Sequence, residues 1–100
     1  MQAVILAAGE GRRLRPLTRN RPKCLLPVAN SPIIDYPIQA VAGCGIRDII
    51  VVVGYRKEHV IRYLDRLDFP VQVVEQKKQL GTADALLHAE SLIRDDFVVL

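Results

Sequence analysis

One hundred residues carry fourteen Lys and Arg against eleven Asp and Glu, and half of the residues are hydrophobic. That is chain enough for one small core, and too apolar at a net charge of +3 for a disordered segment. No apolar run approaches the length of a bilayer span. The two cysteines show no metal or disulfide spacing, so a membrane protein and a disulfide scaffold are both set aside.

Free thiols in a reducing cytoplasm are the expected state of Cys24 and Cys44. The chain starts directly on a strand, so no signal or transit peptide is expected. Residues 1–23 hold six of the fourteen cations and one acid, Glu10. Basicity so concentrated marks a local site, whereas nucleic acid would call for a broad basic face.

In chain order, Ala3-Val4-Ile5-Leu6 is an uncharged run ending in small residues and reads as a buried strand. Gly9 and Gly11 follow it. Pro27 to Pro32 is a turn region in which Ser31 and Pro32 read as an N-cap and first helical position. The helix should run towards Gly43 with Ile34, Ile38, Val41 and Ala42 inward. Pro37 requires it either to kink or to begin near Asp35. Ile49-Ile50-Val51-Val52-Val53 is β-branched throughout, as suits a parallel strand covered on both faces.

Gly54-Tyr55 then turns into a helix over about Lys57 to Leu67, with Val60, Ile61, Leu64 and Leu67 inward, broken by Phe69-Pro70. Val71 to Val74 is a third strand. Thr82 reads as the cap of a helix over about Ala83 to Leu92 carrying Leu86, Leu87 and Ala89 inward, and Phe97 to Leu100 begins a fourth strand. Alternation of β and α with short connections predicts an α/β fold, a three-layer α/β/α sandwich on a mainly parallel, Rossmann-like sheet, incomplete in 100 residues. Ligands of such sheets bind beyond the carboxyl ends of the strands.

The loop after the first strand has the makings of a polyphosphate cradle. Its glycines permit close backbone approach, consecutive N–H groups there form an anion nest, and Arg12, Arg13, Arg15, Arg19, Arg21 and Lys23 supply countercharge. A Walker A loop is excluded because no Lys-Ser or Lys-Thr follows either glycine. The dinucleotide fingerprint fails as well: Leu14 stands at the third glycine, Pro16 interrupts the following helix, and no acid closes the second strand.

Gly9-x-Gly11-x-Arg13-Leu14-x-Pro16-Leu17-Thr18, followed by Arg21-Pro22-Lys23-x-Leu25-x-Pro27-Val28, resembles the signature of the sugar-1-phosphate nucleotidyltransferases. Gln76-Lys77-Lys78-Gln79-Leu80-Gly81-Thr82-Ala83 is similar to that family's base-recognition segment, and the similarity runs along the whole chain. The closest types in character are the N-acetylglucosamine-1-phosphate uridylyltransferases and glucose-1-phosphate thymidylyltransferases. Arg12 departs from the Thr or Ser of most members, which removes any hydroxyl contact there.

The resemblance implies transfer of a nucleotidyl group from a nucleoside triphosphate, UTP or dTTP, to a sugar 1-phosphate, with pyrophosphate leaving. It implies catalytic roles for Arg13 and Lys23, and substrate contacts from Leu6, Ala8, Gly9, Gly11, Arg13, Lys23, Gln76, Gly81 and Thr82. Mg²⁺ is the implied cofactor, held by an Asp expected beyond Leu100, and no metal ligand is expected within the chain. Residues 1–100 then read as the N-terminal nucleotide-binding portion of a cytoplasmic enzyme, binding nucleotide without full catalysis alone. No nucleic-acid or membrane partner is expected, and any homo-oligomer contact would use regions outside this chain. The alternative is a non-catalytic nucleotide-binding or regulatory subunit of the same fold. Asp84 reads as a partner of the helix dipole, Gln79 as a base contact or a solvent-facing residue, His59 as a surface residue, and Asp95 and Asp96 as a solvated turn.

Overall fold

The computed structural model describes residues 1–9, 22–67, 70–77, 81–94 and 96–100, with Thr82 described in its backbone alone. Its strands are β1 (Gln2–Ala7), β2 (Pro27–Val28), β3 (Ser31–Pro32), β4 (Asp48–Val53), β5 (Val71–Glu75) and β6 (Phe97–Val99). The helices are α1 (Asp35–Gly43), α2 (Lys57–Leu64) and α3 (Thr82–His88), with short 3-10 turns at Lys23–Leu25 and Glu90–Leu92.

Four strands form one parallel sheet in the order β5-β4-β1-β6. The chain therefore steps from β1 to β4 to β5 in one direction, then returns past β1 to lay down β6. Crossovers between parallel strands share one hand, so reversing the direction of travel moves the connecting helix to the opposite face. The core divides accordingly. Ala3, Ile5 and Ala7 of β1 and Ile49, Val51 and Val53 of β4 pack with Ile38 and Val41 of α1 and Val60 and Leu64 of α2. Val4, Ile50 and Val52, pointing the other way, pack with Ala85 and Ala89. This is the three-layer sandwich that the alternation of elements predicts.

The period of two explains why β4 has no polar position: each face of its strand meets a helical layer. Ile49 to Val53 are each no more than 1% exposed. Burying one such side chain contributes about 1.5–3 kcal/mol, so this pentapeptide anchors the sheet.

β1 begins one residue before the apolar run, at a fully buried Gln2. Its Nε2 donates to Asp48 Oδ2 (2.9 Å) and to the Leu92 carbonyl (3.0 Å), and its Oε1 accepts from the Arg94 backbone N–H (2.6 Å). A buried amide so satisfied costs little and ties the amino end of the sheet to the segment entering β6.

Several boundaries differ from the sequence reading. Ser31 and Pro32 do not open α1; they pair with Pro27 and Val28 as an antiparallel hairpin. Its two central residues, Ala29 and Asn30, have φ of 51° and 70°, the conformation that two-residue hairpin loops require. α1 starts at Asp35, which puts Pro37 in the first turn, where an N–H has no intrahelical acceptor to lose.

α2 stops at Leu64, and tighter turns carry the chain on so that Leu67 still packs inward. The third helix ends at His88, and the 3-10 turn takes over the stretch to Leu92. Its inward side is Ala85 and Ala89, with Leu86 half-buried, while Leu87 is 63% exposed. Two residues along a helix turn about 200°, which carries Leu87 away from the sheet once Ala85 faces it. β6 is an edge strand with both faces exposed, yet its ladder continues to Leu100 through bonds with Val4 and Leu6 (both 2.9 Å). Among the described residues no helix is long and apolar enough to cross a membrane.

Candidate functional site

The parallel register aligns the carboxyl ends of three strands. Ala7 lies opposite Val53, and Val53 opposite Glu75. Ala8, Gly54 and Gln76 therefore leave the sheet side by side. Two backbone bonds hold them there, Tyr55 N–H to the Ala8 carbonyl (3.2 Å) and Gln76 N–H to the Val53 carbonyl (2.7 Å). A Cβ on Gly54 would lie 3.0 Å from both the Ala8 Cβ and the Gln76 carbonyl oxygen. Only a residue without a side chain allows the three backbones to meet so closely. Lys57 at the start of α2 pairs with Glu75 (2.9 Å) beside this corner, an exposed ion pair of small energetic weight.

Gln76 is 3% exposed. Its Nε2 donates to Asp84 Oδ2 at 2.8 Å and to the Gly81 carbonyl at 3.3 Å. Gly81 has a φ of 97° and occupies the N-cap of α3, so Thr82 is the first helical residue and not the cap the sequence suggested. Thr82 thus contributes a backbone position at the start of α3, beside Gln76. Asp84 also differs from its reading as a dipole partner, since its carboxylate is directed at the Gln76 amide.

On the other side of β1 the strand order reverses. Open α/β sheets bind ligands at such a switch point, because the chains leaving the two neighbouring strands diverge and leave a crevice. Here a cavity of about 300 Å³ is lined by Leu6, Gly9, Lys23, Cys24, Ile34 and Leu100, among others. Lys23 is carried to it by a stiff segment. Pro22 is fully buried, and the Leu25 and Leu26 N–H groups bond back to Pro22 and Lys23 (both 3.1 Å). The Ile34 N–H holds the Cys24 carbonyl (2.8 Å). The lysine side chain itself is exposed. Burial pushes the Cys24 thiol up to about 11, so at neutral pH it is an uncharged part of the lining.

The structure thus gathers Leu6, Gly9 and Lys23 around one crevice and Ala8, Gln76 and Gly81 at the adjacent corner, all on the carboxyl edge of the sheet. Gly11, Arg13 and the neighbouring Arg12, Arg15, Arg19 and Arg21 lie outside the described residues, as do Gln79 and Asp95. His59 sits half-buried on α2, and Asp96 is exposed ahead of β6. Among the described residues no three His, Cys, Asp or Glu converge on a cation position. Sequence reasoning took Gly54 only as a turn residue and missed its contact role. A glycine directly after five buried β-branched residues is a signal that could have raised it. Asp84 carried no such signal, because its partner is eight residues away across a loop.

A family model described as nucleotidyl transferase matches residues 2–100. The bifunctional protein GlmU of Methanococcus maripaludis strain C5 is 42% identical over 100 residues, covering all of this chain and 24% of that protein. The UTP–glucose-1-phosphate uridylyltransferase AglF of Haloferax volcanii is 41% identical over 102 residues, covering all of this chain and 42% of its own. Among solved structures, UDP-glucose pyrophosphorylase from Acinetobacter baumanii aligns with a TM-score of 0.90 at 29% identity, over 99% of this chain and 44% of that one. The chain spans between a quarter and a half of the length of these relatives.

Proposed function

The chain belongs to the nucleotidyl transferase family, and we propose that it is the nucleotide-binding portion of an enzyme that joins a nucleoside monophosphate to a sugar 1-phosphate. UTP or dTTP is the proposed donor. The observation that carries this reading is the placement of the buried Gln76 and the Lys23-lined crevice on the same edge of the sheet. Two strand spacings, about 10 Å in all, separate β5 from β1, which is the scale of a nucleoside between its base and its α-phosphate. A nucleotide with its base at Gln76 would lie over Gly54 and Ala8 and carry its phosphates towards Gly9 and Lys23.

The proposed reaction has a phosphate oxygen of the sugar 1-phosphate attack the α-phosphorus. A new P–O bond forms as the bond to the β-phosphate bridge breaks, and pyrophosphate leaves with the bonding electrons. The nucleophile is already an anion at neutral pH, so no general base is called for. The barrier is electrostatic, because two polyanions must meet while charge builds on the leaving group. Lys23 is assigned to the α-phosphate and the sugar phosphate, Arg13 to the β- and γ-phosphates, and the backbone of Gly9 and Gly11 to nucleotide contact. The described residues hold no ligand cluster for the Mg²⁺ that the resemblance implies. The roles assigned here therefore rest on the chain's own cations and amides. The name of AglF, which specifies UTP and glucose 1-phosphate, supports the choice of donor and acceptor class.

The test is pyrophosphate release by the full-length protein from UTP, dTTP, GTP or CTP, each paired with glucose 1-phosphate or N-acetylglucosamine 1-phosphate. Release with UTP or dTTP and a sugar 1-phosphate is expected. Saturable nucleotide binding without release from any pair would identify a non-catalytic subunit instead, and neither binding nor release would overturn the reading.

A further inference from the structure

We propose that Asp84 is a positioning residue that determines which bases the site accepts, by fixing the Gln76 side-chain amide with its carbonyl towards the ligand. The inference rests on the reading of Gln76 as the base contact and adds to it the reason for a directional preference.

A glutamine amide is nearly symmetrical in shape. Turning it over exchanges a donor for an acceptor, so its partners alone decide which group faces where. At Gln76 the two partners among the described residues are a carboxylate oxygen at 2.8 Å and a backbone carbonyl at 3.3 Å. Both can only accept when Asp84 is ionised. Turned over, the amide would set its own oxygen against the Asp84 oxygen at the same short distance, in a place where Gln76 is 3% exposed. Two acceptors facing each other out of water are strongly unfavourable. The NH2 group is thereby committed to Asp84 and Gly81, and Oε1 is the atom presented to the ligand.

A fixed acceptor reads the hydrogen-bonding edge of a base. Uracil and thymine carry an N–H at N3, and guanine carries one at N1. Cytosine N3 and adenine N1 are acceptors and would meet Oε1 lone pair to lone pair. A site built to pair one hydrogen-bonding group rejects an analogue that cannot supply it by large factors, up to about 10⁴. Asp84 is itself held at the start of α3, with His88 one turn on placing Nδ1 2.8 Å from the Asp84 carbonyl and 3.5 Å from its Oδ2.

The test is the ratio of UTP to CTP affinity, measured by competition on the full-length protein for the parent, Asp84→Asn, Asp84→Ala and Gln76→Ala. Asparagine can offer either its carbonyl or its NH2, so the pair can turn over together and present a donor to cytosine. The expected result is a UTP/CTP ratio at least tenfold lower in Asp84→Asn and Asp84→Ala than in the parent. A merely structural role would weaken both nucleotides alike and leave the ratio unchanged, and thermal melts confirm that each variant is folded. If Gln76→Ala collapses the ratio while Asp84→Asn preserves it, the role of Asp84 is overturned and that of Gln76 survives. If Gln76→Ala preserves it too, the base-contact reading falls and this inference with it.

Discussion

Replacing Gly54 with alanine adds one carbon where three backbones already meet. The new Cβ would stand 3.0 Å from the Ala8 Cβ, 3.0 Å from the Gln76 carbonyl oxygen and 3.1 Å from the Ala8 carbonyl oxygen. Carbon contacts are comfortable at about 3.5–4.0 Å, so the neighbours must retreat by roughly half an ångström. Two of the three atoms are backbone oxygens, which cannot swing aside as a side-chain tip would. The backbone of Gly54 lies outside the positive-φ region, so the penalty is steric and not conformational.

Overpacking of this kind costs about 1–3 kcal/mol. At 2 kcal/mol, a domain of this size should melt roughly 8–16 °C lower. The same displacement moves Ala8 and Gln76, and a 1 Å misplacement can cost about 100-fold, so half that shift should weaken UTP by roughly tenfold. Melting followed by circular dichroism and a UTP titration read the two effects. Gly43→Ala is the control, since nothing lies within 4 Å of a Cβ there, and it should leave both unchanged or raise the melting temperature slightly. A Gly54→Ala protein that melts and binds UTP like its parent would refute the close convergence of β1, β4 and β5.

Lys23→Ala should leave the melting temperature within about 1 °C, because the side chain is exposed, yet lower turnover roughly 10²–10³-fold if its charge meets the phosphates; unchanged turnover would remove it from the site. Iodoacetamide at pH 8, read by peptide mass spectrometry, should modify the exposed Cys44 and spare Cys24. With its thiol pushed up to about 11, Cys24 is roughly one part in a thousand thiolate at pH 8 and becomes reactive only as pH climbs towards 11. Equal labelling at pH 8 would contradict its burial. In hydrogen exchange, the amides of Ile49–Val53 should be the slowest and those of β6 among the fastest in the sheet, since β4 lies between two strands and two helical layers while β6 is an exposed edge. Comparable rates in the two strands would contradict that layering.

What could be read from the sequence was whatever depends on burial and local order. The β-branched run at Ile49–Val53 announced a strand covered on both faces, and its neighbours in sequence supplied the helices that cover it. The residues of the base corner, Ala8, Gln76 and Gly81, were legible because they follow strand ends or open a helix, where Rossmann-like sheets bind. The errors sit where a local signal had two uses. Ser31-Pro32 suits a helix start or a hairpin strand, and the positive φ of Ala29 and Asn30, which chose the hairpin, is not written in a residue as ordinary as alanine. Leu87 looked like core by type, but the phase of α3 is set by the small Ala85 and Ala89, which let the helix settle close to the sheet. Asp84 was invisible as a partner because its bond to Gln76 depends on how the loop between them folds back.

The use of small residues at the carboxyl edge links the packing to the chemistry. Ala7, Ala8 and Gly9 end β1, and Gly54 ends β4. Larger side chains there would push the emerging backbones apart and fill the surface on which a ligand must lie. Small ones let hydrogen bonds such as Tyr55 N–H to Ala8 close between neighbouring exits, which stiffens the edge without covering it. The groups that project above it are then few and individually fixed. Gln76 is held by Asp84 and Gly81, and Lys23 is carried on a turn pinned by Pro22 and Ile34. A phosphate needs cations and N–H groups at short range, and a base needs one directional contact in a dry corner. An edge built of small residues with two anchored polar side chains meets both needs, which is why the proposed site follows from the same residues that close the sheet.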